Sequence, residues 1–174
     1  MRRTIALTAT AYHEAGHAVA AHHEHMRFRS VTIRPGAGNL GHLAYRMPGW
    51  FQPDVEADAR HRRLVERDAR VSFAGPAAEA RFKGRHNWRG ASDDLDQAVS
   101  LLGYVCGSNG ELEAYVRLIR MQAQGLMERH WDEVQAVAEA LLERECLTAA
   151  EVAAVIDRVF DAGAHGRLAL GDRL

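Results

Sequence analysis

Cysteine is scarce in this chain of 174 residues: only Cys106 and Cys146 occur. Two such thiols make no disulfide framework and carry no metal-site spacing, so a disulfide-stapled secreted scaffold is excluded and a reducing, cytoplasmic setting is expected. Long apolar runs are missing as well. Nothing approaches the roughly 18 consecutive apolar residues of a membrane-spanning helix, so no membrane association is expected. The apolar run after Met1-Arg2-Arg3 is too short for the core of a signal peptide. Charge of one sign is lacking too: 22 Lys and Arg stand against 23 Asp and Glu, a net −1. That balance gives no reason to expect nucleic acid or an anionic membrane as partner. Internal repeats and low-complexity segments are absent. What remains is ordinary for a globular domain, with 47% apolar and 26% charged residues and enough length for one proper core.

Histidine, by contrast, is plentiful, with 10 residues, and two of them organise the chain. Ala11 to Val19 reads A-Y-H-E-A-G-H-A-V, an H-E-x-x-H inside an Ala-rich stretch without proline. On a helix, His13 and His17 sit at i and i+4, one above the other and about 6 Å apart at Cβ. Two imidazoles so placed can share one zinc ion. Glu14 lies on the adjoining surface, where a carboxylate can take a proton from an activated water. In a His-rich chain the motif also arises by chance in roughly a few per cent of sequences, so a third ligand is needed to support it.

Taken in order, the first helix is predicted from about Thr8 or Thr10 to about His25, with one of the threonines as N-cap. His22, His23 and His25 crowd its C-terminal end, where the helix dipole favours positive charge; they read as a solvated cluster rather than as ligands. Ser30–Ile33 and Leu40–Arg46 are extended runs around the Gly-rich turn Pro35-Gly36-Ala37-Gly38-Asn39, hence a hairpin or a strand and loop. An edge strand beside the His helix would be able to take up an extended peptide by strand addition; a purely structural hairpin fits the same residues equally well. Trp50 and Phe51, between Pro48 and Pro53, cap the core or line a cleft. A charged helix follows from Asp54 to about Phe73, burying Val55, Leu64, Val65 and Val71, and Gly75-Pro76 is predicted to stop or kink it. Ser92 is a candidate N-cap for an amphipathic helix marked by Leu95, Ala98, Val99, Leu102 and Cys106. Beyond the turn Gly107-Ser108-Asn109-Gly110, a long apolar stripe runs from Leu112 to Leu142, as one helix or two with a bend. Thr148-Ala149-Ala150-Glu151 is a capping box for a last helix carrying Val152, Val155, Ile156 and Val159. From Ala162 the chain is Gly-rich and aperiodic, and fraying or disorder is expected.

Candidates for the third ligand are the other histidines, Glu79, Asp93 and Asp94. Acids that open a helix are ordinarily partners of its dipole, so spacing alone leaves the choice open.

Three motifs in register carry a resemblance. A-Y-H-E-A-G-H-A-V, then A-G-P-A-A-E-A at Ala74–Ala80, then G-A-S-D-D-L at Gly90–Leu95, resemble the peptidase domain of the FtsH family of AAA+ zinc proteases. The similarity runs from about residue 8 to about residue 158, and includes Arg34–Gly41 and Ala138–Thr148. It implies that Asp94 is the third zinc ligand, with Asp93 in place of the family's Asn, and that Glu79 supports a ligand histidine. Pro76 stands where the family has Arg, and Ala80 where it has a second Glu, so the surroundings of the site are expected to differ. The chain contains no G-x-x-x-x-G-K-[ST] nucleotide loop. The resemblance therefore implies the site's chemistry without ATP-driven degradation.

The expected protein is mainly α (α+β): a helical, zincin-like peptidase domain over residues 1–160, with a small β-hairpin and a C-terminal helical bundle, and a flexible tail at 161–174. The resemblance implies one zinc per chain, held by His13, His17 and Asp94, with Glu14 as general base and a peptide or unfolded protein as the expected substrate. Competing readings are a catalytically silent zinc-binding regulatory or interaction domain, and a peptidase subunit, homo-oligomeric or not, fed by a separate ATPase in trans.

Overall fold

The computed structural model describes residues 2–35, 42–45, 47–55, 58–84 and 92–171, with the backbone alone at 2–5, 42, 45, 92, 93 and 163–171. It is mainly helical, with six helices and a three-stranded sheet among the described residues: α1 (Arg2–His23), β1 (Phe28–Thr32), β2 (His42–Tyr45), α2 (Ala59–Lys83), α3 (Ser92–Gly103), α4 (Asn109–Arg129), α5 (Trp131–Arg144), β3 (Cys146–Thr148) and α6 (Ala149–Gly171). The fold class expected from the sequence is the one observed.

Helix α1 begins earlier than predicted. Thr8 and Thr10 lie inside it, and the Thr10 hydroxyl donates back to the Ala6 carbonyl at 3.1 Å instead of capping. It ends after His23 in a Schellman turn. The Met26 N–H reaches Ala21 O at 2.8 Å and the His25 N–H reaches His22 O at 3.1 Å, with His25 left-handed at φ 53°. Ala11, Ala15, Ala18, Val19 and Ala20 are wholly buried, so small side chains let the neighbours approach α1 closely.

Helix α2 is α1's main partner and departs most from expectation. Its N-cap is Asp58, whose carboxylate accepts from the Arg60 and His61 N–H groups at 2.8 Å; Val55, expected in the core, is exposed ahead of it. Gly75-Pro76 does not interrupt the helix, which runs on to the left-handed Gly84. Proline removes one backbone donor. Gly75 and Gly16, however, sit where the two helices touch: a Cβ on Gly16 would lie 2.7 Å from Ala74 O, and one on Gly75 only 2.3 Å from the His17 ring. The pair reads as a contact device.

The sheet order is β2-β1-β3, antiparallel throughout. β3 was not foreseen in the sequence. It aligns Leu147 with Val31, and both are fully buried beside α1, α5 and α6 in one core. The left-handed Glu145 ends α5, and its carbonyl accepts from Ile33 N and Thr32 Oγ1, both at 2.9 Å, which sets β3's entry. The expected capping box is present: Thr148 Oγ1 accepts from Glu151 N at 3.3 Å and Glu151 Oε2 from Thr148 N at 2.7 Å. α6 then continues through Gly171, over part of the stretch read as a tail. On the other side of α2, Val65, Ala69 and Phe73 form a second core with Ala98 and Leu102 of α3 and Ile119 and Ala123 of α4. The apolar stripe after Leu112 is two helices, α4 and α5, with only His130 between them. The Gly-rich turn after Pro35 and the residues 85–91 lie outside the described residues.

Candidate metal centre

His13, Glu14 and His17 come from the middle of α1, where i and i+4 on an unbroken helix place both imidazoles on one face. Asp94 comes from the first turn of α3. His13 Nε2 lies 3.0 Å from Asp94 Oδ2 and 3.0 Å from His17 Nε2, and His17 Nε2 lies 3.5 Å from Asp94 Oδ2. Four ligands at zinc bond lengths of about 2.0–2.2 Å stand roughly 3.3–3.6 Å apart, so the triangle is close to one face of such a tetrahedron.

Each ring is oriented from behind. His17 Nδ1 donates to the Val71 carbonyl at 2.8 Å, which can only accept, so the Nε2 of a neutral His17 is a lone pair. His13 Nδ1 faces Glu79 Oε2 at 3.1 Å, and the other oxygen of Glu79 binds Lys83 Nζ at 2.5 Å. With both imidazoles neutral, three lone pairs converge and repel unless a cation, a proton or a metal ion, lies among them. Burial pulls the His13 imidazole down from its ordinary 6.5, but hydrogen bonds to Asp94 and Glu79 outweigh it and push it up to about 10. Burial raises Asp94, yet the His17 charge and bonds to both imidazoles hold its carboxyl well below the usual carboxylate range. A Cβ on Gly75 would fill the space that the His17 ring occupies. The donor set and its cradle fit a divalent ion of the zinc type.

The structure brings His13, His17, Asp94 and Glu79 into direct contact, and Glu14 is buried on the same helix at 6% exposure; His23 lies elsewhere, and the side chain of Asp93 lies outside the described residues. Three participants were not foreseen. Lys83 stands i+4 from Glu79, a pairing visible in the sequence once the helix is known to continue through Pro76. Gly75 and the Val71 carbonyl carry no chemical signal of their own.

Residues 4–106 match the family model of peptidase family M41. The chain belongs to peptidase family M41. This M41 chain is 31% identical over 178 residues to the ATP-dependent zinc metalloprotease FTSH 11, chloroplastic/mitochondrial, of Arabidopsis thaliana, a match covering 84% of the chain and 21% of the relative. It is 30% identical to the ATP-dependent zinc metalloprotease YME1L1 of Homo sapiens, covering 86% of the chain and 22% of the relative. With the ATP-dependent zinc metalloprotease FtsH 1 of Symbiobacterium thermophilum the figures are 31%, 84% and 28%. The M41 chain thus spans between about a fifth and somewhat over a quarter of the length of these curated relatives.

Proposed function

We propose that the chain is a zinc-dependent metalloendopeptidase, with one zinc per chain held by His13 Nε2, His17 Nε2 and Asp94. The observation that carries this reading is the convergence of those three donor atoms within 3.5 Å, each imidazole oriented by an acceptor behind it. Zinc in such a site supplies Lewis acidity and brings the pKa of water there toward about 7.

The chain's own residues do the rest. Glu14, next to His13 in α1, takes the proton of the attacking water and passes it to the leaving amine. Its side chain is buried in α1, at 6% exposure. Glu79 holds His13 in the tautomer that presents Nε2, and Lys83 balances the Glu79 charge. Val71 does the same for His17.

The substrate is a peptide or an unfolded protein, and hydrolysis itself needs no ATP. Two free cysteines fit a reducing, cytoplasmic setting. A second reading, a peptidase subunit fed by an ATPase, follows from the relatives' ATP-dependent names and from the fraction of their length that the chain spans. Among the described residues no helix is long and apolar enough to cross a membrane.

Glu14→Gln is the direct test. It should retain stoichiometric metal while peptide cleavage falls by roughly 10²-fold or more. Cleavage that survives the change rules out Glu14 as the base, and a wild-type chain that binds zinc but cleaves no peptide library, with or without ATPase fractions, leaves the silent zinc-binding reading.

A further inference from the structure

The far end of α1 carries a second cluster of metal-binding side chains. The Schellman turn at His25 leaves His23 in the last turn of α1, against the corner between α4 and α5. His130, the single residue joining those helices, stacks its ring on His23 with centroids 3.7 Å apart and planes at 29°. Glu133, in the first turn of α5, faces both rings: Oε2 lies 2.5 Å from His23 Nε2 and Oε1 lies 3.0 Å from His130 Nδ1. One ligand atom from each of the three lies within 4.8 Å of the others.

We propose that His23, His130 and Glu133 form a second, structural site for a divalent transition metal, pinning the end of α1 to the α4–α5 corner.

The site stands apart from the first, since His23 is six residues beyond His17, about 9 Å along the helix. Two imidazole nitrogens and a carboxylate oxygen suit zinc, cobalt(II), nickel(II) or copper(II), and not magnesium or calcium. All three ligands stand in or beside helix ends, so little chain must be ordered on binding. The C-terminal dipole of α1 favours a cation there. Side-chain exposures of 26% for His23, 25% for His130 and 16% for Glu133 leave the cluster reachable from solvent, with room for water ligands. An ion entering between the carboxylate and His23 would lengthen the 2.5 Å contact toward the roughly 3.3 Å of a shared coordination shell. Without a metal the same side chains form a hydrogen-bonded His–Glu–His brace. Among the described residues no polar partner stands behind these imidazoles of the kind Glu79 and Val71 provide at the first site, so the affinity is expected to be about 10–100-fold lower.

Metal titration separates the two. The full chain, stripped with a chelator, reloaded with one equivalent of zinc and then given cobalt(II), should develop a visible d–d band of nitrogen-ligated cobalt. Native mass spectrometry should then count two ions per chain. Glu133→Gln and, independently, His130→Asn should each abolish the band and return the count to one, with helical circular dichroism unchanged. A wild-type chain that saturates at one ion and shows only the spectrum of aqueous cobalt overturns the proposal. So does a second ion that persists in both variants. The wild-type measurement decides even if a variant fails to fold.

Discussion

At the scale of single residues, Gly75 decides whether the imidazole of His17 has a place to sit. Alanine there would improve helix propensity by about 1 kcal/mol, yet its Cβ would fall 2.3 Å from Nε2. We expect Gly75→Ala to stay folded and to lose most of its bound metal, read by metal analysis after dialysis; full occupancy would show that the ring has other room. The charge of His13 is equally informative. With its pKa pushed up to about 10 in the metal-free cluster, metal must displace a proton at any pH below that value. Lowering the pH from 9 toward 7 should therefore weaken zinc binding by about tenfold per unit from this proton alone, measured by competition with a calibrated chelator. The sign follows from the raised value: a depressed His13 would give no pH dependence in that window.

At the scale of elements, β3 is three residues long, but it holds a central strand in place. Leu147 is fully buried opposite Val31. Leu147→Ala should destabilise the domain by about 2–4 kcal/mol in urea unfolding, whereas a strand merely resting on the surface would cost well under 1. The prediction matters because the sequence around Cys146-Leu147-Thr148 reads only as an approach to a helix cap. Strand signals need an alternating run longer than three residues, and this strand is defined by its partner β1, more than a hundred residues away. The adjoining Thr148–Glu151 box is legible because both halves of it lie within one turn. Pro76 shows the opposite case. A local rule predicts a break, and packing of α2 on α1 and on two cores outweighs the one lost hydrogen bond.

At the scale of the whole molecule, α3 packs chiefly on α2 and α4, and Asp94 brings its first turn to the histidines of α1. A metal held by all three would join elements that otherwise touch little. Chelation should lower the melting temperature and raise amide exchange at the start of α3 more than in α1 or α2, as seen by hydrogen–deuterium exchange with and without chelator. Equal protection in both states would mean that α3 is positioned by its apolar contacts alone.

The amino-acid sequence by itself determined what depends on near neighbours. Helical periodicity set the mainly α class, and the i, i+4 spacing put His13 and His17 on one face with Glu14 beside them. Asp94 and Glu79 stood among several candidates and were singled out only through motifs resembling a known family, because no local rule relates residues 81 and 66 positions from His13. Tertiary structure alone decided the rest: that α2 passes through Pro76, that Gly75 makes room for a ring, that β3 completes the sheet, and that His23 meets Glu133 across 110 residues. The physical reason is one of range. Caps and helix faces are set by hydrogen bonds and geometry within one or two turns, whereas the close approach of two helices is set by how every side chain between them packs.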